Sequence, residues 1–113
     1  MQVIVESRAA EASQMRELST ERVRFSLRRL TPWVPRAKVQ FSDVNGPRGG
    51  VDKRCQVELS TDTGATVVIA SLANDWRTAL DRSLRRATQA LTRILQRHKK
   101  PVRGRSARLA LYR

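Results

Sequence analysis

The longest regular pattern in this sequence is a helical repeat of apolar side chains in its last third. These side chains recur three or four positions apart, as they do along one side of an α-helix. Asn74 or Asp75 is placed to cap this helix, and Pro101 is placed to stop it after His98. The pattern predicts a helix over residues 75–98 whose apolar stripe must be buried against another layer. The stripe consists of Trp76, Leu80, Leu84, Ala87, Leu91, Ile94 and Leu95.

Four shorter segments have the alternation or the β-branched composition that is typical of strands. Residues 1–7 carry three successive aliphatic side chains, and residues 37–41 and 54–59 alternate apolar with polar side chains. A fourth strand is predicted over residues 65–70, after a turn at residues 61–64. The connections among the last three strands are short, which predicts an antiparallel meander.

A second amphipathic helix is predicted between the first two strands, over residues 14–30. Ser13 is its candidate N-cap, and Thr31-Pro32 ends it. The element order is therefore β-α-β-β-β-α. This order predicts an α+β fold, a two-layer sandwich in which both helices pack on one face of a four-stranded sheet.

The chain's 113 residues suit one domain. We expect this domain over residues 1–100 and a basic flexible tail over residues 101–113. No segment approaches the ~18 apolar residues of a membrane span, and residues 1–7 do not resemble a signal peptide. The single cysteine, Cys55, fits the reducing cytoplasm and is expected in the core. With only one histidine, His98, it cannot form an ordinary zinc site, so we expect neither a metal nor a cofactor.

The charge of the chain is strongly positive and unevenly distributed. The sequence has 23 Lys+Arg against 10 Asp+Glu, a formal net charge of +13. Residues 1–73 carry 11 basic and 8 acidic side chains, whereas residues 74–113 carry 12 and 2. The excess therefore lies in the segment of the last helix, which indicates a polyanionic partner.

On that helix, about 100° of rotation per residue brings several cations together beside the apolar stripe. Like charges four residues apart repel, so a set without counter-charges indicates a phosphate-bearing partner; the alternative is a solvated helix face. Arg85 lies elsewhere on the exposed surface and is a further candidate contact. Aromatic residues make up 4% of the chain, which favours recognition of RNA by backbone and shape over base stacking on a sheet. Charge alone does not separate RNA from DNA. We call the following set the arginine row: Arg82, Arg86, Gln89, Arg93, Arg97 and Lys100.

A second basic cluster surrounds the glycine-rich segment 45–50. Arg48, Lys53 and Arg54 are its candidate RNA contacts; the alternative is an ordinary solvated hairpin loop. Asp43 and Asp52 flank the loop and could hold a metal, although turn formation is the commoner role of such side chains.

Several motifs resemble the ribosome hibernation-promoting factor family, whose members are also called ribosome-associated inhibitors or sigma-54 modulation proteins. Residues 42–55, SDVNGPRGGVDKRC, are similar to a subgroup with Asp-x-Asn-Gly-Pro-Lys/Arg-Gly-Gly-x-Asp-Lys-Arg-Cys between its second and third strands. Residues 75–81, DWRTALD, resemble the Asp-x-x-x-Ala-Ile-Asp start of the family's last helix. MQVIV at residues 1–5 and LRRL at residues 27–30 also match, so the resemblance covers roughly residues 1–100.

The resemblance implies a cytoplasmic, non-enzymatic stress-response factor of the short form. Such a factor binds 16S rRNA at the decoding region of the 30S subunit, blocks mRNA and tRNA, and protects idle ribosomes. It implies no catalytic residue, no membrane, no small-molecule substrate and a monomer when free. Arg82, Arg86, Arg93 and Arg97 would face the rRNA, and reversing the charges of Arg82 and Arg86 is expected to remove binding with little effect on folding. Alternatives are a general RNA or DNA module, a nuclease using Asp43 and Asp52, and a regulator that binds acidic proteins.

Overall fold

The computed structural model describes residues 1–8, 14–44 and 52–103, the last six of these by their backbone alone. A short 3-10 turn, Thr31–Trp33, precedes the second strand. The elements follow the predicted order, which confirms the α+β fold: β1 (Gln2–Ser7), α1 (Arg16–Ser26), β2 (Arg36–Asp43), β3 (Lys53–Ser60), β4 (Thr66–Ala73) and α2 (Trp76–Arg103).

The four strands form one sheet in the order β1-β2-β3-β4. β1 runs parallel to β2 because α1 carries the chain back to the end of the sheet at which β1 began. β2, β3 and β4 form the predicted antiparallel meander. β1 and β4 are therefore the two edges of the sheet.

Both helices pack on one face of the sheet, and the core lies between the layers. β2 and β3 each contribute three fully buried side chains at alternate positions, as the period of two predicts. α2 covers β3 and β4, and α1 lies against β1 and α2. Cross-layer burial of this apolar surface is the main stabilising contribution, at roughly 25 cal/mol per Å² removed from water. The buried side chains include Val23, Leu27, Ala37, Val39, Phe41, Cys55, Val57, Leu59, Leu80, Leu84, Ala87 and Leu91.

The first helix is shorter than predicted. It begins at Arg16 and ends at Ser26 rather than Leu30. From Arg28 on, amides bond to carbonyls three residues back, Arg28 to Phe25 at 3.4 Å and Leu30 to Leu27 at 2.8 Å, so the α-helix gives way to tighter turns before Pro32. The Leu27 carbonyl accepts from the Leu30 amide at 2.8 Å and also from the Thr31 hydroxyl at 3.1 Å. The predicted cap Ser13 lies outside the described residues.

Two other boundaries also differ from expectation. β4 continues to Ala73 because residues 71–73 pair with Lys53–Cys55, and this pairing outweighs their weak strand propensity. α2 runs to Arg103, so the predicted stop after His98 is wrong. A proline removes one amide donor, and the helical backbone continues on both sides of Pro101. Residues 104–113 lie outside the described part of the chain.

The start of α2 matches the sequence prediction. Asp75 Oδ2 accepts a hydrogen bond from the Thr78 amide at 3.1 Å, the geometry of an N-cap. Hydrogen bonds from the side chain and amide of Thr78 hold the pKa of Asp75 below its usual range. Within the described residues, no helix is both long enough and apolar enough to span a membrane.

Cys55 is the clearest test of this packing. It is fully buried, and burial raises the pKa of its thiol to about 12. Because the thiolate is the reactive form, we expect folded protein not to react with Ellman's reagent at about pH 8, and unfolded protein to react fully. Absorbance measurements with and without denaturant check this. If Cys55 were labelled completely in the folded protein, and as fast as in the unfolded protein, its burial in β3 would be contradicted.

Candidate nucleic-acid interface

The described members of the arginine row lie on the solvent side of α2. Arg82, Arg86, Gln89, Arg93 and Arg97 are all exposed, while the apolar stripe faces the sheet. Arg85 is exposed too. Lys100 belongs to the part of α2 whose side chains are not described, so its role stays a prediction.

Among the described residues, no carboxylate forms an ion pair with an arginine of the row. The acidic side chain of the α2 surface, Asp81, lies 3.9 Å from Arg22 of α1 and links the two helices. No acidic residue follows Asp81 anywhere in the sequence. Within the described residues, the arginines of the row therefore have no carboxylate counter-charge.

Arg82 and Arg86 also bind the edge of the sheet. Arg82 Nη1 donates to the Leu72 carbonyl at 2.7 Å, and Arg86 Nη1 lies 3.1 Å from the Ala70 carbonyl and 3.0 Å from the Ser71 hydroxyl. These carbonyls belong to edge strand β4, so the guanidinium groups protect an edge that would otherwise attract another strand. Glutamates at these positions would repel the carbonyls. Charge reversal of Arg82 and Arg86 would therefore lower stability, contrary to the expectation from the sequence.

The structure separates the two neighbours Lys53 and Arg54. Residues that follow one another in a strand point to opposite faces, so Lys53 faces α2 and Arg54 lies on the open face of the sheet. Arg54 lines a groove of about 390 Å³ with Arg82 and Arg86. The structure thus brings Arg54 to the arginine row rather than to Lys53. Arg48 lies outside the described residues.

Lys53 is held between the two candidate metal ligands. Its Nζ lies 3.0 Å from Asp43 Oδ2 and 3.2 Å from Asp52 Oδ1. It also lies 5.4 Å from the centre of the Trp76 ring. Hydrogen bonds to Asp43 and then to Asp52 raise the pKa of Lys53. Both carboxylates thus bind the lysine, and the described residues contain no group of three or more His, Cys, Asp or Glu side chains that could hold a metal.

A chain of polar side chains crosses the open face, which sequence analysis did not identify. Arg54 Nη2 donates to Gln56 Oε1 at 2.9 Å, Gln56 Nε2 donates to Gln40 Oε1 at 3.4 Å, and Gln40 Nε2 donates to Glu6 Oε1 at 2.8 Å. Lys38 completes the chain at 3.6 Å from Glu6. The bond from Gln40 and the charge of Lys38 lower the pKa of Glu6. This chain of side chains depends on the cross-strand register, which places Gln40 opposite Gln56. The register cannot be read from the sequence alone.

A second feature missed by sequence analysis is an exposed aromatic ring on α1. Phe25 is 64% exposed, and the guanidinium carbon of Arg28 lies 4.2 Å above its ring centre. Arg28 Nη1 also donates to the Phe25 carbonyl at 2.7 Å, which fixes the stack. The sequence could have indicated this exposed ring, because Phe25 falls outside the apolar stripe of α1.

Replacing Lys53 tests the role of its carboxylate partners. In Lys53→Met the buried Asp52 loses its cation, so we expect a lower denaturant midpoint of unfolding. The matched control is Arg54→Met, which removes the same charge from the open face and is expected to change the midpoint much less. Equal midpoints for the two variants in a urea titration would contradict a structural role for Lys53.

The solved structures that share this fold include the two described next. A ribosomal subunit interface protein from Coxiella burnetii is 14% identical with a TM-score of 0.67, over 85% of this chain and 99% of that chain. The N-terminal domain of Thermus thermophilus Protein Y is 21% identical with a TM-score of 0.61, over 83% of this chain and 99% of its own. No protein-family model matches the sequence, and no curated protein is similar to it. The chain therefore shares the complete fold of these two proteins.

Proposed function

We propose that this protein is a ribosome-associated hibernation factor. It binds small-subunit 16S rRNA at the decoding region of the 30S subunit, occludes the path of mRNA and tRNA, and so inhibits translation while protecting idle ribosomes in the cytoplasm. Support comes from the sequence motifs of that family and from the fold shared with a ribosomal subunit interface protein. The contact with rRNA and the location at the decoding region are proposed from the family resemblance.

The observation that carries the proposal is the arginine row on a packed helix, whose arginines pair with no carboxylate among the described residues. A helix that needed only solubility would mix acidic with basic side chains, whereas α2 has no acid after Asp81. Its stripe from Ala79 to Leu91 is buried, which fixes the backbone positions from which the exposed cations project. A fixed array of arginines suits the phosphates of a structured RNA.

The proposed mechanism requires no bond to be made or broken. Occlusion works by occupying space, and its energetics are those of phosphate neutralisation and counterion release. Each guanidinium presents five N–H donors in a fork that matches two phosphate oxygens. The domain, proposed over residues 1–100, acts as a monomer with a basic tail.

Co-sedimentation with ribosomal particles tests the partner. We expect saturable, stoichiometric migration with 30S and 70S particles and none with 50S, weakening as salt is raised. Diffuse binding to all three particles, or equal affinity for free duplex RNA, would instead indicate a general nucleic-acid module. A translation assay with the same preparation tests inhibition.

The double variant Arg93→Glu/Arg97→Glu tests the interface without disturbing the β4 edge. We expect loss of most 30S binding and a decrease of about 2 in the log–log salt slope, one for each lost phosphate contact. Arg16→Glu/Arg36→Glu is the matched control, because it makes the same charge change at exposed positions away from the row. Melting curves verify folding. Equal loss of binding in both variants would mean that net charge, rather than the row, governs binding.

A further inference from the structure

We propose that Arg54, Arg82 and Arg86 form a single phosphate-binding groove across the β4 edge. The groove would take the phosphate backbone of the bound RNA from the arginine row onto the open face of the sheet. This inference rests on the proposed function, because it specifies which RNA group the groove receives and where the strand continues.

The groove is built from residues of two layers. α2 supplies Arg82 and Arg86, and β3 supplies Arg54 from the other face of the sheet, with β4 between them. Arg54 lies directly opposite Leu72 in the β3–β4 register, and Leu72 is the residue whose carbonyl binds Arg82. Three cations therefore meet around a short length of edge strand. The groove measures about 390 Å³, and no acidic side chain lines it.

The arginines are already positioned in the free protein. Arg82 and Arg86 are held by β4 backbone carbonyls, and Arg54 is held by Gln56 at 2.9 Å. Each of these contacts uses one terminal nitrogen of a guanidinium that has five donor hydrogens, so donors remain for a ligand. Positioned side chains lose less conformational entropy on binding, which favours an anion that bridges them.

Mutual repulsion of the three cations favours binding of an anion in this groove. Three like charges around one groove without a carboxylate are stabilised when an anion with several acceptor oxygens enters. The floor of the groove adds apolar surface, because the Leu72 side chain is 42% exposed beside the charges. A phosphodiester with its attached ribose offers both the acceptor oxygens and a less polar part.

Arg54 connects this groove to the open face. It also lines a second depression of about 240 Å³, together with Arg8, Gln40, Ser42 and Gln56. Amide and hydroxyl side chains with one further arginine are suited to ribose and phosphate contacts. The two depressions share Arg54, so an RNA strand bound at the β4 edge would continue over β3 and β2.

The test is 30S binding by Arg54→Gln, since the Arg54 guanidinium donates to Gln56 of its own strand and its loss leaves the edge bonds of Arg82 and Arg86 in place. We expect roughly tenfold weaker binding and a salt slope smaller by about 1. Arg54→Lys keeps the charge without the fork, so it should restore the slope but only part of the affinity. Arg36→Gln, on the same face at the far end of β2, is the control and should bind as the unmodified protein does.

A double-variant cycle tests whether the arginines share a phosphate. If they do, adding Arg86→Gln to Arg54→Gln lowers the slope little further, whereas adding Arg97→Gln lowers it by about 1 more. Equal, additive losses from both additions would overturn the shared groove.

Three further outcomes separate the two proposals. Unchanged 30S binding in Arg54→Gln, with weakened binding in Arg97→Gln, would reject the groove and keep the function. Absence of saturable 30S binding by the unmodified protein would reject both. Tight binding of inorganic phosphate alone that depends on Arg54, with 30S binding independent of Arg54, would assign the groove to a free anion and overturn the RNA path.

Discussion

α2 lies across β3 and β4 on a continuous apolar stripe, and the arginine row takes its position from that contact. Burial of the stripe from Ala79 to Leu91 fixes the rotation of the helix about its axis. This rotation places Arg82 and Arg86 at the β4 edge, and with 3.6 residues per turn Arg93 and Arg97 lie on the same side of the helix. A slip of one residue in the stripe would turn the whole array by about 100°. The hydrophobic packing therefore decides where the charge is displayed.

The same packing gives Arg82 and Arg86 two roles. Their guanidinium groups bind the outward carbonyls of Ala70 and Leu72, and they also carry the charge proposed to meet phosphate. Lysine would carry the charge with three donors on one nitrogen, whereas arginine has five donors spread over a planar fork. An arginine can therefore stay bonded to the strand edge while a second acceptor approaches. Protection of the edge strand and recognition of an anion are compatible for this reason.

Local periodicity predicted the elements well, and it failed where distant segments meet. The stripe of α2, the buried positions of β2 and β3, the meander and the Asp75 cap all follow from sequence spacing. Grouping Lys53 with Arg54 ignored the alternation of side chains along a strand, which sends them to opposite faces. Arg54 lies beside Arg82 and Arg86 because of the β3–β4 register and the position of α2. Neither of these can be predicted from the spacing of nearby residues. The end of α2 was missed because Pro101 was taken as a stop signal, whereas the helical backbone continues through it to Arg103.

The fixed spacing of the arginines on α2 determines which RNA shapes the arginine row can distinguish. Arg82 and Arg97 are separated by about 22 Å along α2 at 1.5 Å per residue, and the packed stripe holds that spacing. A flexible basic segment adapts to any polyanion, because its cations follow the phosphates. A fixed array neutralises fully only an RNA whose phosphates match its spacing, and other RNAs leave cations unpaired. The contact proposed at Arg54 lies around the β4 edge, out of line with the helix, so it would favour a bent RNA surface over a straight duplex. Selectivity for a folded, curved RNA surface over free duplex can therefore arise from shape, without contacts to the bases.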